Sequence, residues 1–541
     1  MSKIKLFDTT LRDGFQSAGI SFTVSDKLKI ARALAEFGID YIEGGWPGSN
    51  ATDEEFFRLC RREGESLRKR LVAFGSTRYK KNKAHSDPNL GAIVASGART
   101  AAIFGKTWDL HVVHALQTTL EDNLNMIEES VSYLCHKKID VIYDAEHFFD
   151  GYKANRDYAL KTIACAIKGG AFNISLCDTN GGSLPEEISR ITADVISYVK
   201  KFCASIGIKP PCVPTIGIHA HNDADCAVAN SLIAVSSGAR LVQGTINGIG
   251  ERCGNANLSS IIPALKIKLR AGISISDDKL KKLTELSRYV DEILNRMPDD
   301  QQPYVGKNAF AHKGGIHVSA VTRHSKTYEH IDPSLVGNVR RIVISELSGK
   351  SNILAKARDL KVDLSKDDTA ARRVIEIVKK NEAAGYQYEA ADGSFGILVL
   401  KALGRYRPYF NLKSYRAIIE KNPSCGGVII TEATIKLEVN GNLKYTVAEG
   451  DGPVNALDRA LHGALEEFYP VLKEVVLRDF KVRVINPTSG TAAAVRVHIE
   501  SADRTSSWGT VGVSENIIDA SWQALVDAID YKLAKDGIKP L

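Results

Sequence analysis

Over the first 265 or so residues, short apolar runs rich in β-branched side chains alternate with longer stretches whose apolar positions recur at helical spacing. The runs begin near Ile4, Tyr41, Leu71, Thr100, Val141, Ile174, Ile216 and Leu241. Eight such strand-helix units predict an α/β architecture closed as a (β/α)8 TIM barrel rather than an open sheet. Barrels of this kind carry their chemistry at the C-terminal ends of the strands, so the residues that follow each run become the candidates.

Those positions hold most of the unusual residues. The first run leads into Asp8-Thr-Thr-Leu-Arg-Asp-Gly-Phe-Gln16, the second into Glu43-Gly-Gly-Trp-Pro-Gly48 and the fifth into Asp144-Ala-Glu-His147. The sixth ends in Asp178-Thr-Asn-Gly-Gly182, the seventh in His219-Ala-His-Asn-Asp223 and the eighth in Asn247-Gly-Ile-Gly-Glu-Arg-Cys-Gly-Asn255. Polar and charged side chains are therefore expected to converge on one rim.

The pattern then changes. Residues 1–265 form the expected catalytic barrel, 266–395 a mainly helical linker region with small subdomains, and 396–541 a C-terminal α+β domain. In the last segment, strands around Ala433 to Ala448 precede Gly450-Asp-Gly-Pro-Val-Asn-Ala-Leu457, and strands around Ala493 to Val513 precede Ser514-Glu-Asn-Ile-Ile-Asp519. Each reads as a ββ pair followed by a helix with capping residues at its start, which makes the segment a weak internal duplication.

Composition narrows the class. The 541-residue chain is 44% hydrophobic and 25% charged, as expected of globular domains. No apolar run reaches the roughly 18 to 20 residues of a spanning helix, and MSKIKLFDTT lacks the apolar region of a signal peptide, so a cytoplasmic protein without a membrane partner is expected. The net charge of +7 is not clustered as a nucleic-acid surface requires. Nine cysteines occur singly, without zinc-ribbon spacing, and most are expected to be reduced, buried packing residues; Cys253 is read in the same way.

His219 and His221 flank one residue, and i, i+2 positions of a strand share a face, so both imidazoles would point into the barrel mouth. Alone, such a pair is equally compatible with two structural histidines. Asp13 adds a carboxylate from the first loop, completing a set that could hold a divalent cation with open positions for substrate. Beside it, Arg12 offers a planar cation for a carboxylate or a developing oxyanion. The run Arg78-Tyr-Lys-Lys-Asn-Lys83 after the third strand is either a solvated charge run or an attractor for phosphates.

The run Asp8-Thr-Thr-Leu-Arg-Asp-Gly, the His219/His221 pair and Gly250-Glu-Arg-Cys-Gly-Asn255 together resemble the barrel of the isopropylmalate, homocitrate and citramalate synthase family, and the likeness extends over essentially the whole chain. The stretches Tyr41 to Asn50, Asp144 to Gly151 and Trp508 to Val513 look most like its citramalate branch. The resemblance implies a synthase that joins the acetyl unit of acetyl-CoA to a small 2-oxo acid, with pyruvate as the preferred acceptor. It implies a divalent metal, Mg, Mn or Zn, on Asp13, His219, His221 and Asn255. Arg12 would bind and polarise the 2-oxo acid, Thr179 would hold its carboxylate, Glu146 would take the acetyl methyl proton, and His317 would serve as a further acid or base. Phe15 departs from the family, which usually has a small or acidic residue there.

The same resemblance implies a homodimer whose C-terminal domain binds an end-product amino acid, isoleucine if the acceptor is pyruvate, at the helix starts near Gly452 to Val454 and Ser514 to Asn516. Carboxyltransferase barrels of biotin-dependent enzymes share the opening motif, but Met1, Met126 and Met297 are the chain's only methionines and none forms a Met-Lys-Met biotinyl site. Other acceptors within the family and a non-catalytic effector-binding scaffold are the remaining alternatives.

Overall fold

The computed structural model describes residues 3–343, 368–421, 429–485, 490 and 492–541. Part of the expected linker region, 344–367, thus lies outside the described residues, as do 422–428 and 486–489 of the expected C-terminal domain. The described residues fall into two compact units, Met1–Phe310 with Ile331–Val339, and Ala311–His330 with Arg340–Leu541.

In the first unit, β1 (Lys5–Asp8), β2 (Tyr41–Gly45), β3 (Leu71–Ser76), β4 (Thr100–Lys106), β5 (Asp140–Glu146), β6 (Asn173–Asp178), β7 (Thr215–Ala220) and β8 (Leu241–Gly244) form a closed parallel barrel. Lys5 to Asp8 pair with Leu241 to Gly244 to close it. Strands enclosed by helices are buried on both faces and read as continuous apolar runs, which explains why the eight runs found in the sequence begin at or within one residue of the observed strands. Inside the barrel lie Phe7, Val72, Phe74, Ala102, Ile142 and Leu241, while Leu6, Ile42, Ala73, Ile103 and Ile218 face the helix layer.

Local signals set the helix ends. Thr23 and Asp26 form a reciprocal capping box at the start of Val24–Phe37, and Gly38 ends that helix with φ of 108°. Beyond residue 265, Leu280, Leu283, Leu286, Val290, Val305, Phe310, Ile331 and Val336 join the same core as the barrel helices.

The second unit opens with the short parallel pair β9 (Ala311–His312) and β10 (Arg341–Ile342). It then carries two three-stranded antiparallel sheets, β11 (Asn411–Lys421), β12 (Ile429–Val439) and β13 (Asn442–Gly450), and β14 (Val476–Val484), β15 (Val495–Ala502) and β16 (Ser507–Ser514). Helices Pro453–Leu465 and Ile517–Lys535 follow the respective sheets. Each repeat is therefore βββα, and the ββα expected from sequence lacks its first strand. That strand is hard to read because β11 and β14 bury almost none of their residues, so no buried face marks them. Alternate residues Ala433, Ile435, Leu437 and Val439 of β12 and Val497 and Ile499 of β15 share one core with Leu457, Leu461, Leu525 and Ile529. The opposite face of the first sheet exposes Leu443, Tyr445 and Val447, while in the second sheet Val482 and Val484 stay exposed on the edge strand although they pair with Val497 and Val495. No helix among the described residues is long and apolar enough to cross a membrane.

Candidate active site

The first loop is folded by its own side chains. Asp8 accepts from the amide and hydroxyl of Thr10 at 3.0 and 2.9 Å, and the Thr10 hydroxyl in turn accepts from the Ile246 amide at 2.9 Å. The loop after β1 is thereby tied to the loop after β8, and Arg12 and Asp13 are turned over the barrel mouth. Burial pushes the Asp8 carboxyl up to about 7 against these hydrogen bonds.

Asp13, His219 and His221 are all buried and bring one potential ligand atom each to the same point. The Asp13 Oδ2 to His219 Nε2 distance is 3.3 Å, and the two histidine Nε2 atoms lie 3.2 Å apart. Asn255 reaches this point because the β8 loop folds back on the end of β7, where Asn255 makes an antiparallel bridge with His221. Its Nδ2 donates to Asp13 Oδ2 at 2.6 Å, while its buried Oδ1 has no protein partner. An unmatched buried acceptor is costly, and a cation beside it would remove that cost. The group of one carboxylate and two imidazoles therefore fits a divalent metal, with the Asn255 amide beside it.

The electrostatics agree with that description. Burial raises the Asp13 carboxyl, but Arg12 and the two imidazoles outweigh it and hold Asp13 well below the usual carboxylate range. His221 is pushed down to about 3 by burial and then by the neighbouring His219. Burial also lowers the His219 imidazole, yet its contact with Asp13 leaves the net shift upward.

Arg12 is held on three sides. Its Nε donates to Glu43 Oε2 at 2.7 Å, its Nη1 lies 3.3 Å from Asp13 Oδ1, and its guanidinium stacks 3.8 Å above the Phe74 ring. Glu43 is 0% exposed, and burial lifts its carboxyl to about 7 although Arg12 pulls it down. Phe74 and Phe104 stack at 5.5 Å, and Trp46 meets both edge-on at 5.7 Å. Trp46 is set by the turn after β2: its amide donates to Asp53 at 2.8 Å, and Asp53 pairs with the buried Lys27. Gly45 makes that turn possible, since its φ is 137° and a Cβ there would lie 2.4 Å from the Asp53 carboxylate.

Across the rim, the Thr179 hydroxyl accepts from the His147 amide at 2.9 Å and keeps its own proton to donate. Glu146, at the end of β5, forms an ion pair with Lys106, its register neighbour on β4. Arg252 donates to Asp223 at 2.7 Å and to the Thr179 carbonyl at 2.7 Å, which braces the β8 loop against the β6 and β7 loops.

Arg12, Asp13, Glu146, Thr179, His219, His221 and Asn255 thus all stand at the C-terminal ends of barrel strands or in the loops that follow. His317 instead belongs to the second unit, where it is exposed on helix Gly315–Arg323 and stacks on Tyr328 at 4.1 Å. Phe15 is 37% exposed, with its ring against Phe22 at 5.4 Å. Cys253 is exposed and does not pack as expected. Sequence reading gave no role to Glu43, Lys106, Asp144 or Gln243. For Glu43 and Gln243 the signal was present as single polar residues inside otherwise apolar strands, where a buried charge or amide needs a partner; Asp144 shares its strand with two other carboxylates and Lys106 ends its strand.

The HMGL-like family matches residues 3–290, Homocitrate synthase post-HMGL domain-like matches 304–385, and the LeuA allosteric (dimerisation) domain matches 389–533. The (R)-citramalate synthase of Geobacter sulfurreducens is 52% identical over 99% of this chain and 98% of the relative. That of Aquifex aeolicus is 51% identical over 99% of this chain and 98% of its own length. A more distant relative, the probable 2-isopropylmalate synthase of Methanopyrus kandleri, is 32% identical over 98% of each chain. A likeness of this extent, joined to a barrel whose rim gathers Arg12, Asp13, His219, His221 and Asn255, places the chain in the (R)-citramalate synthase family.

Proposed function

We propose that the barrel condenses the acetyl group of acetyl-CoA with pyruvate and, with water, releases (R)-citramalate and CoA. The observation that carries this reading is the convergence of Asp13, His219 and His221, with Asn255 bonded to Asp13, beside an anchored Arg12. Those four residues would hold a divalent metal, which when bound supplies Lewis acidity at the keto oxygen of the acceptor. Arg12 has its Nε and Nη1 edges taken by Glu43 and Asp13, so its remaining edge is directed to the acceptor, where it compensates charge that develops on the keto oxygen. Thr179 donates its free hydroxyl proton to the acceptor carboxylate. The aromatic group of Trp46, Phe74 and Phe104 beside Arg12 favours a short acceptor side chain.

Glu146 takes the methyl proton of the acetyl group, and Lys106 places a positive charge beside that carboxylate. A cavity of about 730 Å³ runs from Lys106 and Phe104 to Arg78, Lys80 and Lys81. It suits CoA, with the thioester at the Glu146 end and the phosphates at the basic end. Water then cleaves the thioester of the condensed product. His317 serves as a further acid or base.

The same proposal includes a cytoplasmic homodimer assembled through the C-terminal domain and inhibited by isoleucine at the starts of helices Pro453–Leu465 and Ile517–Lys535. The rows of exposed apolar residues on the two sheets support assembly. The decisive assay is CoA release with pyruvate, 2-oxoisovalerate and 2-oxoglutarate side by side, with metal present and after chelation. Pyruvate is the preferred acceptor and chelation abolishes turnover; preference for either of the other acids refutes the assignment. Titration with isoleucine and with leucine tests the effector, and a turning-over preparation that binds neither leaves the domain with assembly alone.

A further inference from the structure

A chain of hydrogen bonds with a fixed direction runs across the barrel interior to His219. It begins at the Thr215 backbone carbonyl, which only accepts. Asn173 Nδ2 donates to that carbonyl at 3.1 Å and to the Thr215 hydroxyl at 2.9 Å, so the Asn173 Oδ1 edge is left to accept. Ser175 donates its hydroxyl proton to that oxygen at 3.0 Å. The Ser175 oxygen accepts from Gln243 Nε2 at 3.0 Å, and the same Gln243 nitrogen donates to Asp144 Oδ1 at 2.7 Å, so two acceptors hold the nitrogen edge of the Gln243 amide. The Gln243 oxygen therefore faces His219 Nδ1, at 2.9 Å. An amide oxygen cannot donate, so Nδ1 must carry the ring proton.

This has a consequence at the other ring nitrogen. When the ring is neutral with its proton on Nδ1, Nε2 is a bare lone pair aimed at the point shared by Asp13 and His221. Gln243 is 0% exposed and is the register neighbour of His219 on the adjacent strand, so neither side chain has room to exchange partners with water. We infer that Gln243 is a positioning residue that selects the Nδ1–H tautomer of His219 and so presents its Nε2 as a ligand to a divalent cation, with Ser175 and Asn173 fixing the orientation of the Gln243 amide. The inference rests on the metal reading of the site.

Two measurements test it. In the unaltered protein freed of metal, ¹⁵N spectra of labelled histidine at alkaline pH, with His219 assigned through His219→Gln, show the proton on Nδ1; a proton on Nε2 overturns the inference whether or not any metal binds. Gln243→Met, checked for folding by circular dichroism, then lowers Mn²⁺ affinity of the metal-free protein by about tenfold to a hundredfold, the range for loss of such an orienting partner. Unchanged Mn²⁺ affinity in the folded variant overturns it. Failure of the unaltered protein to take up Mn²⁺ refutes the metal reading instead, and the ring spectrum still decides the tautomer.

Discussion

Replacing Arg12 with Lys keeps the positive charge and removes the planar fork, which makes it a direct test of how the acceptor is held. The guanidinium makes a 2.7 Å bond to Glu43 through Nε and lies 3.3 Å from Asp13 through Nη1, with its Cζ over the Phe74 ring, 3.8 Å from the centroid. A lysine ammonium is a single nitrogen that will settle on the buried Glu43, and it cannot also span to Asp13 and to a substrate. The loss is one charge-assisted hydrogen bond to the acceptor, worth about 1.5 to 3 kcal/mol, or about 10- to 150-fold in kcat/KM for pyruvate. Because Glu43 keeps a cationic partner, the variant should remain folded, with a melting temperature within a few degrees of the parent. The assay is CoA thiol release at varied pyruvate and saturating acetyl-CoA, with the melting curve recorded on the same preparation. A folded Arg12→Lys enzyme within threefold of the parent kcat/KM would refute the fork as the acceptor's anchor.

The Glu43 carboxyl, lifted from 4.5 to about 7, keeps in the folded state a proton that the unfolded chain loses. Its contribution is complete below about 4.5 and lost above about 7, so the stability of Glu43→Gln relative to the parent should rise by about 3 kcal/mol across that interval; urea unfolding at several pH values checks this, and a flat difference excludes it. Gly45→Ala forces a Cβ onto the Asp53 carboxylate at a φ of 137° and should cost at least about 2 kcal/mol in the same unfolding assay. Thr179→Val removes the free hydroxyl proton while keeping the shape, and should raise the pyruvate KM tenfold or more, with Thr179→Ser restoring most of it; equal KM in all three would remove Thr179 from acceptor binding.

The barrel was legible because every strand is buried between interior and helix layer, leaving apolar runs long enough to count. The geometry of the two proposed histidine ligands was legible for a different reason: His219-Ala-His221 needs only the two-residue period of a strand to put both rings on one face. What escaped were partners set by register between strands far apart in sequence. Gln243 meets His219 and Asp144 across β8, β7 and β5, and Glu43 meets Arg12 from β2, contacts that no local pattern encodes. The first strands of the two repeats, Asn411–Lys421 and Val476–Val484, lie at sheet edges and bury little; in the second, the alternation of Phe480, Val482 and Val484 with Lys481 and Arg483 was a strand signal that went unread.

The bond from Asn255 to Asp13 joins positions 242 residues apart, and the strand pair that closes the barrel is also the pair whose loops carry those two residues. During synthesis the chain therefore cannot complete the proposed ligand pocket until β8 and its loop have left the ribosome and docked beside β1. Any fragment that stops after β7 holds both histidines and still lacks Asn255, the fourth proposed ligand. Metal uptake in this protein should consequently report completion of the barrel as a whole: a late, all-or-none event in folding rather than a gradual gain as successive strands are added.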